Sequence, residues 1–149
     1  MDNAIRQAIP TDVQAIACLV RDAYTIYIAR IGKPPGPMLD DYAARVAEQT
    51  VWLTERDGDL AGLIVLLPRE GHLLLDNIAV APSRQGQGIG RALIAFAEAE
   101  ARARGVAELR LYTHQAMHEN IALYARTGWT ETGRHRQDGF DRVFFRKPV

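Results

Sequence analysis

The sequence predicts one α/β domain built on a mixed β-sheet with helices on both faces. Short apolar runs bounded by turn residues are typical of strands, and segments with an apolar residue every three or four positions are typical of amphipathic helices. Hairpin patterns come first and a strand-helix-strand unit follows, so the sheet must hold both antiparallel and parallel neighbours. A length of 149 residues fits a single domain, residues 1–149, around one core.

The sequence pattern of the first half of the chain predicts four strands and two helices. The predicted elements are a strand at 5–9, a helix that Thr11 and Asp12 cap and that reaches 28, a helix at 39–47, and strands at 50–55, 60–67 and 73–80. The Pro/Gly run 32–37 ends the first helix, and Asp57-Gly58 predicts a hairpin turn. The last two strands are almost wholly apolar, which predicts central strands buried on both faces.

The second half is dominated by a long helix. The predicted elements are a helix at 88–104, a strand containing Leu109, Leu111 and Thr113, a helix at 117–127, and strands at 130–136 and 140–146 around Asp138-Gly139. The stripe on the long helix comprises Ile89, Ala92, Leu93, Phe96, Ala99 and Ala103. Gly105 and Gly128 predict the two helix ends. The order is therefore β-α-α-β-β-β-α-β-α-β-β.

Charge and composition disfavour several classes of partner. Eighteen basic residues balance eighteen acidic ones, so we expect neither nucleic acid nor a membrane surface as a partner. The N-terminus has no signal-like apolar run and no later run approaches the length of a membrane span, which favours a cytoplasmic protein. The single cysteine, Cys18, lies in an apolar helical stretch, where a small buried residue is the favoured interpretation over a nucleophile.

A glycine-rich turn lies between an apolar strand and the long helix. Its segment Gln85-Gly86-Gln87-Gly88-Ile89-Gly90 precedes Arg91, and a helix that begins there offers unpaired backbone N–H groups to an anion. Gly90-Arg91-Ala92 lacks the Gly-Lys-Ser/Thr that a nucleoside triphosphatase needs. Arg91 also occupies the position of the third glycine of a dinucleotide-binding fingerprint. The spacing disfavours both kinds of site, and purely structural glycines remain an alternative.

The pattern Gln/Arg-x-x-Gly-x-Gly/Ala, matched by Gln85, Gly88 and Gly90, resembles the acetyl-CoA motif of the GNAT acyltransferase family. A second segment, from Asn120 through Tyr124 to Gly128-Trp129, resembles that family's Asn-x-x-x-Tyr-x-x-x-Gly-Phe motif with Trp in place of Phe. The two motifs occupy residues 76–129 only. The earlier helices resemble the family in pattern alone.

This resemblance implies the GNAT fold and acetyl-CoA as co-substrate. The residues it assigns to the cofactor are Ile78, Ala79, Val80, Gln85, Gly86, Gln87, Gly88, Ile89, Gly90, Arg91, Asn120 and Tyr124. Backbone N–H groups of Ile78 and Val80 are implied to bind the thioester oxygen and the pantetheine arm. For Asn120, capping of the helix start is the alternative.

Two side chains are candidate catalysts. Tyr124 is the implied proton donor to the leaving thiolate. A phenol of pKa about 10 is protonated at neutral pH and can give a proton to a thiolate whose pKa is about 8.5. Packing in the core is the alternative role. Asp76 is favoured slightly as general base because the family commonly places a carboxylate on this strand, and an ordinary acidic residue is an equal alternative. His72, His114 and Glu119 stay open as rival bases.

Candidate acceptor residues are Tyr27, Asp40 and Asp41, which flank the Pro/Gly run. Two adjacent acids suit a cationic amine, and capping of the second helix is the alternative. His114 and His118 are four apart with no third ligand evident, so we expect no metal.

The sequence thus predicts an N-acetyltransferase that passes an acetyl group from acetyl-CoA to a primary amine of a small molecule or a protein. Transfer is expected to be direct, in a ternary complex. A non-catalytic acyl-CoA-binding or regulatory module on the same fold is the alternative. A homodimer is a possible assembly.

Overall fold

The computed structural model describes residues 4–149, which contain seven strands and five α-helices. In chain order these are β1 Ile5–Gln7, α1 Val13–Tyr24, α2 Ile26–Ile31, α3 Tyr42–Ala47, β2 Val51–Arg56, β3 Asp59–Arg69, β4 His72–Val80, α4 Ile89–Ala103, β5 Glu108–His114, α5 His118–Arg126, β6 Thr130–Gln137 and β7 Phe140–Pro148. The strands form one mixed sheet in the order β1-β2-β3-β4-β5-β7-β6. The predicted fold class is confirmed.

Two compact units make up the chain. The first runs to Leu66 and takes in Asn77–Ala97, and the second joins Leu67–Asp76 to Glu98–Val149. That residues 1–149 act as one domain stays a prediction.

In the first unit, β1, β2 and β3 pair antiparallel. Ile5 pairs with Thr54, and Val51 pairs with Val65. The β2–β3 turn has positive φ at Asp57 (54°) and Gly58 (82°), as a two-residue hairpin turn requires, which confirms that prediction. Its fully buried core includes Ile16, Val20, Val51, Leu53, Leu63, Ile64, Val65, Ile89 and Leu93.

The first predicted helix is interrupted, so three helices precede β2 instead of two. The break falls at Thr25, whose hydroxyl donates to the carbonyl of Arg21, and such back-bonding bends a helix.

The predicted cap of the first helix is also wrong in detail. The carboxylate of Asp12 accepts hydrogen bonds from the Ile9 N–H (2.8 Å) and the Arg6 guanidinium (2.9 Å), and no side-chain bond caps α1. The Arg6 hydrogen bond holds the pKa of Asp12 below its usual range.

The second predicted helix begins three residues later than expected. Residues Gly36–Leu39 form a separate 3₁₀ turn, and α3 begins at Tyr42. The reason is the side chain of Asp41, which accepts a hydrogen bond from the Ala44 N–H at 3.1 Å and so fixes the N-cap.

The contact between β3 and α4 sets the position of the glycine-rich turn. Gly62 lies so close to α4 that a Cβ placed there would be 2.8 Å from Cγ2 of Ile89 and 3.2 Å from Cδ1 of Leu93. Phe96 of the same helix contacts Trp52 of β2, with ring centroids 5.6 Å apart. Helix α4 therefore packs on the bare backbone of β3.

The second unit is centred on a parallel pair of strands. Leu73–Leu75 of β4 pairs with Leu109–Leu111 of β5, and β5 pairs antiparallel with β7 along its whole length. The β6–β7 turn has positive φ at Asp138 (53°) and Gly139 (80°), as predicted. The buried side of this unit includes Leu73, Leu109, Leu111, Val143 and Phe145.

Two burial predictions need correction. Strand β4 is not buried on both faces, because buried and half-buried side chains alternate along it from His72 to Val80. The buried stripe of α4 runs through Ile89, Leu93, Ala97 and Ala101, whereas Ala99 and Ala103 are exposed. Two ion pairs join residues four apart on α4, Glu98–Arg102 at 3.8 Å and Glu100–Arg104 at 3.4 Å.

Replacing Gly62 by alanine tests the packing of α4 on β3. We expect a loss of ~1–3 kcal/mol in the free energy of unfolding, because the added methyl overpacks against Ile89 and the Ala79 carbonyl, 3.3 Å away. The matched control is Gly36→Ala, where a Cβ meets nothing within 4 Å and the change should stay within about 0.5 kcal/mol. Urea unfolding measures both, and equal losses would refute the close contact.

Candidate active site

The glycine-rich turn presents its backbone to solvent. Gly86 and Gly88 adopt left-handed backbone conformations, with φ of 83° and 82°, and a Cβ at either would meet nothing within 4 Å. Gln85, Gly86, Gln87 and Gly88 are all exposed, whereas Ile89 is 1% exposed. The turn is therefore anchored by one buried side chain and open above its glycines.

This turn leads straight into α4. The carbonyl of Gly88 accepts a hydrogen bond from the Ala92 N–H at 3.0 Å, so the N–H groups of Ile89, Gly90 and Arg91 belong to the first helical turn, which has no intrahelical acceptors for them. These groups and the helix dipole favour an anion at this point. The backbone here is therefore suited to bind an anion.

Two arginines accompany the turn. Arg84 is ion-paired with Asp57, with 3.0 Å between Nη1 and Oδ2, so its charge is partly neutralised. Arg91 is exposed on the first turn of α4. Arg91 is therefore the better placed of the two to add positive charge.

The strand segment before the turn carries the three predicted residues Ile78, Ala79 and Val80. Ala79 is 5% exposed, and its two neighbours are half-buried. The Ala81 N–H donates to the Ala61 carbonyl of β3. Because the N–H and C=O groups of successive strand residues point to opposite sides, the N–H and C=O groups of Ile78 and Val80 point away from β3. The Ile78 carbonyl accepts a hydrogen bond from the Tyr24 hydroxyl at 2.9 Å.

The predicted acceptor residues have structural contacts of their own. Asp40 forms an ion pair with Arg45 at 3.0 Å, and Asp41 caps α3, which is the alternative that the sequence left open. The ring of Tyr27 lies 6.1 Å from that of Tyr24 and under the guanidinium of Arg30, at 5.3 Å. A role for these residues in acceptor binding stays a prediction.

In the second unit, Tyr124 is held by aromatic contacts. It is 5% exposed, and its ring centroid lies 5.7 Å from Trp129 and 5.6 Å from Phe145. Asn120 is half-buried, and its amide lies 3.6 Å from the sulfur of Met117. No side-chain bond caps α5, so capping, the alternative for Asn120, is not seen.

Asp76 lies on a half-exposed face of the second unit. Its Oδ1 accepts a hydrogen bond from the Tyr112 hydroxyl at 3.1 Å. The guanidinium of Arg142 lies 4.1 Å from the centre of the Tyr112 ring, and Phe144 packs beside that ring at 5.9 Å. The carboxylate is thus oriented by a phenol that is itself fixed on both sides.

The rival bases are less suited to the role. Nδ1 of His114 accepts the Ala116 N–H at 3.0 Å, which engages the lone pair of the neutral ring. His72 lies four residues before Asp76 on β4, about 13 Å away. Burial and the charge of Arg110 lower the pKa of His72. Glu119 is exposed on the first turn of α5.

Sequence analysis missed the polar partners of β4. Tyr112 was not singled out, because it lies on β5 and its partner Asp76 is 36 residues away in sequence. Asn77, 4% exposed in an apolar run, also escaped notice, and a buried amide is a signal in its own right because it must be hydrogen-bonded.

Among the described residues no group of three His, Cys, Asp or Glu side chains gathers as a metal site would require. No helix within residues 4–149 combines the length and the apolar character of a membrane span.

Comparison with known proteins agrees with the motifs. The model of the Acetyltransferase (GNAT) family matches residues 14–129. The mycothiol acetyltransferase of Nocardia farcinica is 43% identical over 77 residues, which are 51% of this chain and 24% of that protein. N-acetyltransferase family 8 member 3 of Rattus norvegicus is 32% identical over 88 residues, 55% of this chain and 39% of that protein. The chain thus spans well under half the length of these relatives.

Solved structures match over nearly the whole chain. The ribosomal-protein-S18-alanine N-acetyltransferase of Escherichia coli superimposes with a TM-score of 0.78 at 27% identity, covering 98% of this chain and 93% of that one. The paia N-acetyltransferase of Thermoplasma acidophilum, solved in complex with coenzyme A, has a TM-score of 0.79 at 18% identity, covers 98% of both chains and shows the fold alone. With its family model covering both motifs, this chain belongs to the GNAT acetyltransferase family.

Proposed function

We propose that the protein is an N-acetyltransferase that uses acetyl-CoA and a primary amine. The observation that carries the proposal is the open turn at 85–90, whose glycine backbone leads into the first N–H groups of α4. Related structures include enzymes whose names specify an alanine of a ribosomal protein. Curated relatives include two named mycothiol acetyltransferase. Both kinds of name are consistent with an amine acceptor.

The chain supplies binding, orientation and proton transfer. Acetyl-CoA brings the acetyl group already activated as a thioester. In the proposal the turn at 85–90 and Arg91 hold the pyrophosphate, Asn120 contacts the pantetheine arm, and the N–H groups of Ile78 and Val80 bind the thioester oxygen, where negative charge develops. Tight packing of Ile89 and Ala79 keeps these backbone groups in place.

Two protons move during the transfer. As the amine nitrogen forms its bond to the acetyl carbon and the carbon–sulfur bond breaks, Asp76 accepts a proton from the nitrogen and Tyr124 gives its hydroxyl proton to the leaving sulfur. Exchange with solvent then restores both side chains. No covalent enzyme intermediate is required.

Blocking the turn tests cofactor binding. We expect Gly88→Trp to raise the Kd for acetyl-CoA by roughly 100-fold or more, ~2.8 kcal/mol, because a bulky side chain covers the N–H groups. The control is Gly71→Trp, where the backbone has a similar φ (79°) and the same open space but lies in the β3–β4 turn. Calorimetry reads both, with melting temperatures as a check on folding. Normal binding by Gly88→Trp, or no binding by the wild type, would contradict the proposal.

Removing one hydroxyl tests the proton donor. We expect Tyr124→Phe to lower kcat roughly 100-fold, the usual scale for a general acid, and to leave acetyl-CoA binding nearly unchanged because the aromatic packing is kept. Thr127→Ala serves as control, since that hydroxyl bonds only within α5 to the carbonyls of Leu123 and Tyr124. Thiol release with an amine found in a broad panel is the assay. An undiminished kcat would assign Tyr124 to packing alone.

Neutralising one carboxylate tests the base. We expect Asp76→Asn to lower kcat/KM for the amine roughly 100-fold, because the amide keeps the shape but accepts no proton. Glu119→Gln is the comparison and should stay near the wild-type value. A comparable fall in the glutamine variant instead would transfer the role to Glu119.

A panel of amines also separates catalysis from binding alone. Thiol release with any member supports the transferase. Tight acetyl-CoA binding with no release across small amines, amino acids, antibiotics and peptides would favour the regulatory module on the same fold.

A further inference from the structure

A buried polar cluster lies in the first unit where the sequence suggested only packing. The Asn77 cluster consists of Tyr24 on α1, Tyr42 on α3 and Asn77 on β4, which are 8%, 6% and 4% exposed. The Tyr24 hydroxyl shares its one proton between Oδ1 of Asn77, 2.6 Å away, and the carbonyl of Ile78. Asn77 donates from Nδ2 to the Tyr42 oxygen at 3.0 Å. Tyr42 donates in turn to the carbonyl of Pro37 at 2.5 Å.

One member of the cluster also touches the backbone of β4. The Tyr24 oxygen lies 2.9 Å from the carbonyl of Ile78, the residue whose N–H the proposed function assigns to the thioester oxygen. The N–H and the carbonyl of one strand residue point to the same side. A hydrogen bond to the carbonyl therefore limits rotation of the backbone that also carries the N–H.

The cost of burying these groups argues against simple core packing. A buried amide or phenol loses its water and costs about 1–3 kcal/mol if it is left without a partner, whereas an apolar side chain at the same place has no such cost. Three such groups are satisfied together here, across elements 53 and 35 residues apart in sequence. Directional hydrogen bonds define an orientation that apolar contacts leave free.

We propose that Tyr24 is a positioning residue for acetyl transfer, whose hydroxyl fixes the Ile78 carbonyl and so restricts the backbone of Ile78, including the N–H that receives the thioester oxygen. The inference depends on the proposed function for its chemical meaning. Asn77 shares the Tyr24 hydroxyl, and Tyr42 bonds Asn77 and the Pro37 carbonyl, but neither contacts the Ile78 carbonyl in the hydrogen bonds seen here.

The test compares two tyrosines that each lose one hydroxyl from the same cluster. Tyr24→Phe and Tyr42→Phe should both lower the free energy of unfolding, since each leaves Asn77 with one partner fewer. Only Tyr24→Phe should lower kcat, by roughly 10-fold, less than the loss of a direct oxyanion donor. Its KM for acetyl-CoA should stay within about two-fold, because the turn at 85–90 is untouched.

Amide hydrogen exchange gives a readout that needs no turnover. Peptides covering residues 77–80 should exchange faster in Tyr24→Phe than in Tyr42→Phe. Each variant is measured the same number of degrees below its own melting temperature, so that a difference in global stability does not account for the result. If the wild type binds and turns over acetyl-CoA but the two variants show equal kcat and equal exchange, the positioning role is overturned and the proposed function stands. If the wild type neither binds acetyl-CoA nor releases thiol, the proposed function fails independently of the exchange result.

A third variant keeps the inference testable if Tyr24→Phe does not fold. Asn77→Leu removes the amide but leaves the Tyr24 hydroxyl facing the Ile78 carbonyl, so kcat and exchange at residues 77–80 should remain near the wild-type values. A 10-fold fall in kcat in this variant would show that the cluster acts through Asn77 and overturn the assignment to Tyr24.

Discussion

The contact of Ile89 with the bare backbone at Gly62 is the constraint on which the candidate cofactor site depends. A glycine turn has many accessible conformations, and it holds an anion well only if one of them is imposed from outside. Burial of Ile89 and Leu93 against β3 imposes it by fixing the first turn of α4. The exposed glycines then connect a strand and a helix that are packed tightly against each other.

Polar side chains along β4 are likewise held in place, here by hydrogen bonds to neighbouring side chains. Asp76 accepts the Tyr112 hydroxyl in the second unit, and Asn77 bonds two tyrosines in the first. Each partner is buried or packed against another ring, so little motion is left in the bond. A transfer reaction requires such restriction, because displacing a reacting group by about an ångström can lower the rate about 100-fold.

Local features were predicted well because their causes are local. The hairpin turns at Asp57-Gly58 and Asp138-Gly139 follow from the positive φ that these residues tolerate, and Gly105 and Gly128 end their helices for the same reason. The strand of Leu109, Leu111 and Thr113 was found from alternation alone. Helix starts were less accurate, because a capping oxygen has competitors. The carboxylate of Asp12 bonds Arg6 and Ile9 instead of capping α1, and that of Asp41 moved the start of α3.

The sequence by itself determined the strand order, the helices apart from the break at Thr25, the glycine turn before α4 and the two motifs of the GNAT family, since each depends on neighbouring residues. Tertiary structure alone decided that Tyr24 bonds Asn77 and Ile78, that Tyr112 orients Asp76, and that Gly62 receives Ile89. Those pairs lie tens of residues apart. No periodicity or spacing encodes them, because they arise only when separate elements pack and buried polar groups must find partners.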